Sequence, residues 1–230
     1  MKPMRILAAT LLMAAAATPA LAADNGTLLE LTATAQREVG NDQVDATLYV
    51  QDNQREPGPL ADRLNRAVTQ ALAGARAYPA VQASSGSYSS WPDYDKDGKI
   101  QGWQGRAEVK LKSKDFVQCA QLVALLQKNM LLQSVDFSVA PETRKKTEQQ
   151  LLPEAIAQLQ ATAGVAAQAL GKHRVTVKAL QIGDGGAMPR PMMAMMAKRT
   201  DAPASSVATP DWQAGQSVLQ MQVSGKLELD

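Results

Sequence analysis

Between Tyr78 and Lys112 the chain reads as two alternating polar and apolar runs separated by Trp91-Pro92-Asp93-Tyr94-Asp95-Lys96-Asp97-Gly98. No other stretch constrains the fold as tightly. Asp97-Gly98 between such runs is a hairpin signal, because glycine takes positive φ without steric cost. Strands are predicted from about Val81 to Ser89 and from about Gly102 to Lys112. In the second, Ala107, Val109 and Leu111 share one face while Arg106, Glu108, Lys110 and Lys112 share the other. A strand with one dry and one wet face belongs in an antiparallel sheet covered on a single side.

The same acidic tip sets up the first chemical question. Asp93, Asp95, Asp97 and Gly98 stand at positions 1, 3, 5 and 6 of an EF-hand loop, with Ile100 at position 8. Position 12, which needs a bidentate glutamate, is Gln104, and the flanks read as strands rather than helices. Two readings follow, a hairpin tip in solvent or a weak cation site on Asp93, Asp95 and Asp97.

Alternation recurs before the hairpin. Leu29, Leu31, Ala33 and Ala35 form one half-buried strand, and Val44, Ala46, Leu48 and Val50 form another after Gly40-Asn41-Asp42. These two strands are expected to pair as a hairpin. Pro57-Gly58-Pro59 then opens a helix with Leu60, Leu64, Val68, Ala71, Leu72 and Ala75 on one stripe. After the central hairpin, Ser113 is the expected N-cap of a second helix, whose stripe is Phe116, Cys119, Ala120, Val123 and Leu126. Val135, Phe137 and Val139 make a further strand, stopped by Pro141.

A long helix is predicted over residues 142–170. Its 29 residues would reach about 43 Å at 1.5 Å each. Pro153 should kink or restart it, since proline removes an internal hydrogen bond. Ile156, Leu159, Ala163, Ala166 and Leu170 are the expected inward stripe, with Gly171 closing the helix. Val175, Val177 and Ala179 open another strand. The last strand alternates Leu219, Met221, Val223, Leu227 and Leu229 with polar residues, so the C-terminus should be built into a sheet. The pattern gives an α+β fold of antiparallel sheets with helices packed on one face. Whether residues 23–230 make one domain or two small lobes is left open by the pattern.

Targeting follows from the first 22 residues. Lys2 and Arg5 precede the apolar run Ile6 to Ala17, and Ala20-Leu21-Ala22 supplies small residues for cleavage. That is a signal peptide, and its apolar run is too short to span a bilayer comfortably. The leader removes those two basic side chains, so the mature chain has 22 basic and 22 acidic residues. With no basic stripe interleaved with aromatics, nucleic acid is not an expected partner. Cys119 is the only cysteine; no internal disulfide can form, and a small buried hydrophobe is its expected role.

The loop at about 184–212 carries Pro189, Pro191, Pro203 and Pro210 with many Ala, Ser and Thr. Met188, Met192, Met193, Met195 and Met196 cluster there. Thioethers are soft ligands for Cu(I), oxidisable groups whose sulfoxides can be reduced back, or an apolar patch for a partner subunit or membrane surface. Met192, Met193, Met195 and Met196 are the candidate Cu(I) ligands. Signatures of catalysis are missing: His173 is the only histidine, and no Gly-x-Ser-x-Gly, P-loop or Gly-x-Gly-x-x-Gly occurs. No cofactor is expected. His173, just past the long helix, is expected to satisfy terminal carbonyls.

Several short motifs fall in a telling order: Asn41-Asp42-Gln43-Val44, Leu64-Asn65-Arg66-Ala67, Trp91-Pro92-Asp93-Tyr94-Asp95, Gly102-Trp103-Gln104-Gly105-Arg106-Ala107-Glu108-Val109, Leu170-Gly171-Lys172 and Met188-Pro189-Arg190-Pro191-Met192. Together they resemble the SIMPL-domain family of exported bacterial proteins, which includes periplasmic immunogenic and oxidative stress defence proteins. The resemblance spans nearly the whole mature chain, and Pro153 departs from the family's uninterrupted long helix. It implies an α+β fold with a long helix, a periplasmic location, a role in envelope or oxidative stress, and homo-oligomers, which in some relatives are large and ring-like or channel-like. Peripheral contact with the membrane or envelope is a further expectation. The family offers no agreed catalytic residues, and the expectation is a protein that is not an enzyme.

Overall fold

The computed structural model describes residues 26–184, 188–189 and 210–230. The elements run β1 (Thr27–Gly40), β2 (Gln43–Gln54), α1 (Pro57–Ala75), β3 (Val81–Tyr94), β4 (Ile100–Ser113), α2 (Phe116–Leu126), β5 (Leu131–Ser138), α3 (Pro141–Ala169), β6 (Val175–Asp184), the two-residue β7 (Met188–Pro189) and β8 (Gln216–Leu229). They build two antiparallel sheets. One has the order β1-β8-β6, with β7 also on β8; the other has the order β3-β4-β2-β5.

The expected β1–β2 hairpin does not form. β1 pairs along its whole length with β8, from Thr27 opposite Leu229 to Gly40 opposite Gln216. β2 instead lies between β4 and β5. The reason is local and polar. Asn41 donates its amide N–H to the Gly215 carbonyl at 3.1 Å and its Nδ2 to the Ala214 carbonyl at 2.7 Å. Asp42 donates its amide to the Ser138 carbonyl. Instead of closing a turn on themselves, these residues tie the chain to distant segments and carry it from one sheet to the other.

The second sheet holds its core on one face. Val44, Ala46, Leu48, Val109 and Leu111 pack against Ala71, Ala75, Cys119, Leu122, Val123 and Leu126 of α1 and α2. Phe116, Phe137 and Trp212 stack edge to face along its border, with ring centroids 5.6 and 5.9 Å apart. Trp212 thus pins the segment that leads into β8. The α2 cap is Asp115, whose side chain accepts from the Gln118 amide at 2.9 Å. Ser113 is not the cap; its hydroxyl accepts from the Asp115 amide and donates to the Ala80 carbonyl, joining the end of β4 to the start of β3.

α3 covers the first sheet. It continues through Pro153 without restarting. Pro153 and Gln149, whose carbonyl it leaves without an intrahelical partner, are both exposed, so water can take the missing donor's place. The buried residues are Thr147, Leu151, Ala155, Leu159, Ala163 and Ala167, every fourth position. A spacing of four drifts about 40° per step on a helix of 3.6 residues per turn, so the dry line winds around α3 and follows the twist of the strands beneath. Of the expected stripe, Leu159 and Ala163 are buried and Ile156 packs half-buried against the same core. Leu170, however, is 57% exposed, because it lies past the end of the buried line. Gly171, at φ +69°, ends the helix: its amide reaches the Gln168 carbonyl and the Lys172 amide reaches that of Ala167, a Schellman closure. His173 is not needed there; its amide donates to the Asp230 carbonyl at 2.8 Å.

Candidate functional site

The acidic tip is a hairpin tip. Strands β3 and β4 pair from Val81 opposite Ser113 to Tyr94 opposite Ile100, with irregularities after Ser85 and Asp93. Gly98 sits at φ +76°. Asp95 spends its side chain on the turn, its Oδ1 accepting from the amides of Asp97 at 2.9 Å and Lys99 at 2.8 Å. Asp93 accepts from the side chain of Gln101 at 3.3 Å. Among the described residues, no three of the His, Cys, Asp and Glu side chains are grouped so as to hold a metal ion. Asp93, Asp95 and Asp97 therefore follow one another along the strand and turn without converging. The candidate Cu(I) ligands Met192, Met193, Met195 and Met196 lie outside the described residues, as does the leader.

Cys119 is fully buried in the core of the second sheet. Burial pushes its thiol up to about 11, with the charges of Asp45 and Asp115 adding to the shift. The thiolate is the reactive form. An alkylating reagent at pH 8 is accordingly expected to leave Cys119 untouched in the native protein and to label it on denaturation. Rapid labelling of the folded chain, read by intact mass, would contradict that placement.

The polar joint is a connected cluster of side chains. Asp42 accepts from the Ala140 amide and from the Thr143 hydroxyl, both at 2.6 Å. α3 begins with Pro141 after Ala140, which has no capping side chain of its own. Asp42 supplies that cap from a different part of the chain and sets a carboxylate at the positive end of the helix. Ser217 donates to Asn41 Oδ1 at 2.7 Å, bringing the start of β8 into the same cluster. Here every group is satisfied from within the chain, so the joint is structural.

Among the described residues, the α3-facing side of β6 is left without cover. Val175, Val177, Leu180 and Ile182 stand opposite Leu229, Leu227, Gly225 and Val223 of β8, and opposed residues of an antiparallel pair share a face. That face is the one covered by α3, since a Cβ on Gly225 would meet Leu159 Cδ2 at 2.9 Å. Yet the core under α3 is built from β1 and β8, with no residue of β6 in it. One helix of about 10 Å diameter spans about two strands spaced 4.8 Å apart. The third strand is left over: Val177 is 43%, Leu180 40% and Ile182 51% exposed. Alternation in the sequence marked Val175, Val177 and Ala179 as a strand but not as an uncovered one. A bulge between Val177 and Ala179 also shifts the phase, so that Leu180 takes the inward position expected for Ala179.

The surface also carries several clefts. One of about 250 Å³ between α1 and α2, lined by Ala71, Gly74, Leu125 and Met130 among others, is below the common size of ligand pockets, while one of about 500 Å³ runs across the first sheet beside Glu30, Thr32, Leu180, Gln181 and Lys226. On the open face of the second sheet the Arg106 guanidinium lies 3.6 Å above the Tyr49 ring, hydrogen-bonds Gln133 and pairs with Glu108. No helix among the described residues is long and apolar enough to cross a membrane.

The architecture defines an α+β protein of two antiparallel sheets, with two helices on one sheet and one long helix on the other. The model of the SIMPL family, described as a protein of unknown function (DUF541), matches residues 29–227. The chain belongs to that family. No curated protein matches it.

Proposed function

We propose that this is an exported periplasmic protein, not an enzyme, which self-associates and supports tolerance of envelope or oxidative stress. The observation that carries this reading is the row of apolar side chains on β6 left in water beside a well-packed core. Apolar surface in that setting marks a contact site. The leader of residues 1–22 supports export, and the resemblance to oxidative stress defence proteins supports the physiological role. Light scattering on residues 23–230 at tens of micromolar tests the assembly: a mass above the monomer is expected, and a strictly monomeric species overturns it. Export is tested by cell fractionation, which should find the cleaved chain in the periplasm. A second reading, a binder of Cu(I) or a small ligand, is favoured by the run Met192, Met193, Met195 and Met196. Titration with Cu(I) separates the two, since a binder loses its affinity when these residues become leucine.

A further inference from the structure

We propose that the contact is made by strand addition: β6 pairs antiparallel with β6 of a second copy, centred on Gln181, so that the first sheets of the two copies become one continuous sheet. This inference rests on the self-association reading above and adds its surface and geometry. A strand edge left unpaired is a template for another chain, and proteins guard such edges with charges, proline, bulges or cover. The four edges of the two sheets differ in this respect. β3 carries Pro92, Asp93 and an irregularity after Ser85. β5 is eight residues long and carries Asp136. β1 lies under α3 and is fastened to it by Arg37, which hydrogen-bonds Gln150 and Glu154. Among the described residues, β6 has none of these over Ala179-Leu180-Gln181-Ile182-Gly183: no charge, no proline and no helix above it. Its Lys178 is occupied with Glu228.

The occupant follows from symmetry and charge. A two-fold axis perpendicular to the sheet keeps α3 on the same side in both copies, so partners must share a face. Through Gln181, this register sets Leu180 of one copy against Ile182 of the other, twice, and these two exposed side chains each gain an apolar cross-strand neighbour. α3 adds no charge to that face, having no charged residue from Ala155 to Gly171. The strand is thus complementary to itself, which a C₂ interface requires.

Cysteine placement tests this directly, because Cys119 is buried and leaves the surface free of thiols. Residues directly opposed in an antiparallel pair have Cα atoms about 4.5–5.5 Å apart, within the disulfide range of about 4.4–6.8 Å. Mild oxidation of Gln181→Cys should convert most of the protein to a covalent dimer, whereas Gln222→Cys, exposed on the central strand β8, should remain uncrosslinked. Ile182→Lys, at a site already in water, should lower the mass seen by light scattering at unchanged circular dichroism. Leu28→Lys on β1 should leave that mass as it is. Wild-type protein that assembles while Gln181→Cys fails to crosslink and Ile182→Lys keeps its full mass would overturn the strand pairing alone. Wild-type protein that stays monomeric would overturn the self-association reading as well.

Discussion

Leu159→Ala is expected to lower the free energy of unfolding by about 2–5 kcal/mol, the range for truncating a fully buried leucine. Leu159 is 1% exposed at the middle of the dry line of α3. Its Cδ2 stands 2.9 Å from the place a Cβ on Gly225 would occupy, so the leucine fills a notch that only glycine leaves open. A backbone notch in the central strand cannot collapse around the missing atoms, which puts the loss toward the upper part of that range. Gly225→Ala alone should cost about 1–3 kcal/mol by overpacking the same site. Combined, the two changes should cost less than their sum, because the new methyl enters the space the leucine vacates. Urea denaturation of the four proteins measures the cycle. A loss under about 1 kcal/mol for Leu159→Ala, or strict additivity, would mean that the notch does not set the packing of α3 on its sheet.

That contact shows where the sequence was legible and where it was not. The alternation of Leu219, Met221, Val223, Leu227 and Leu229 announced β8, and the apolar spacings announced three helices in the right order. Period gives each element its type and its dry face, since these depend on neighbours two to four residues away. Pairing depends on residues far apart in the chain. β1 alternates just as a hairpin strand would, and nothing within it says that its partner starts at Gln216 rather than Gln43. Pro153 misled for a related reason: its cost depends on whether the orphaned carbonyl faces water, which is a property of the packed helix.

The uncovered strand was hidden more deeply. Residues 175–184 look like any half-buried strand, and their exposure arises only because α3 lies over β1 and β8. The bulge that sets Leu180 opposite Gly225 also has no signature in the local alternation. By contrast, the reading of the central turn needed only Asp97-Gly98 and its flanks, and the strands on both sides are there. The three aspartates admit two readings in the sequence because ligand spacing and turn chemistry use the same residues. Asp95 now has its Oδ1 committed to two backbone amides.

Asp42→Ala should destabilise the protein by about 1–3 kcal/mol, the cost of leaving the buried Ala140 amide and the half-buried Thr143 hydroxyl without their acceptor. The change strips the Ala140 amide and the Thr143 hydroxyl of their partner and removes the cap of α3. Burial pushes the Asp42 carboxyl up, but hydrogen bonds from Ala140 and Thr143, with Lys114 nearby, outweigh it and hold its pKa below the ordinary 3.8. A depressed folded-state pKa contributes stability that is present above the unfolded value and lost as the pH falls through the folded one. The advantage of wild type over Asp42→Asn should therefore be full at pH 6 and shrink as the pH drops below 3.8. Asparagine keeps an acceptor for the Ala140 amide and can donate to Thr143, so it should be milder than alanine at neutral pH. Urea midpoints at several pH values would decide the point. A gap between wild type and Asp42→Asn that stays constant down to pH 3 would show that the carboxylate's charge contributes nothing to the joint, leaving only its shape.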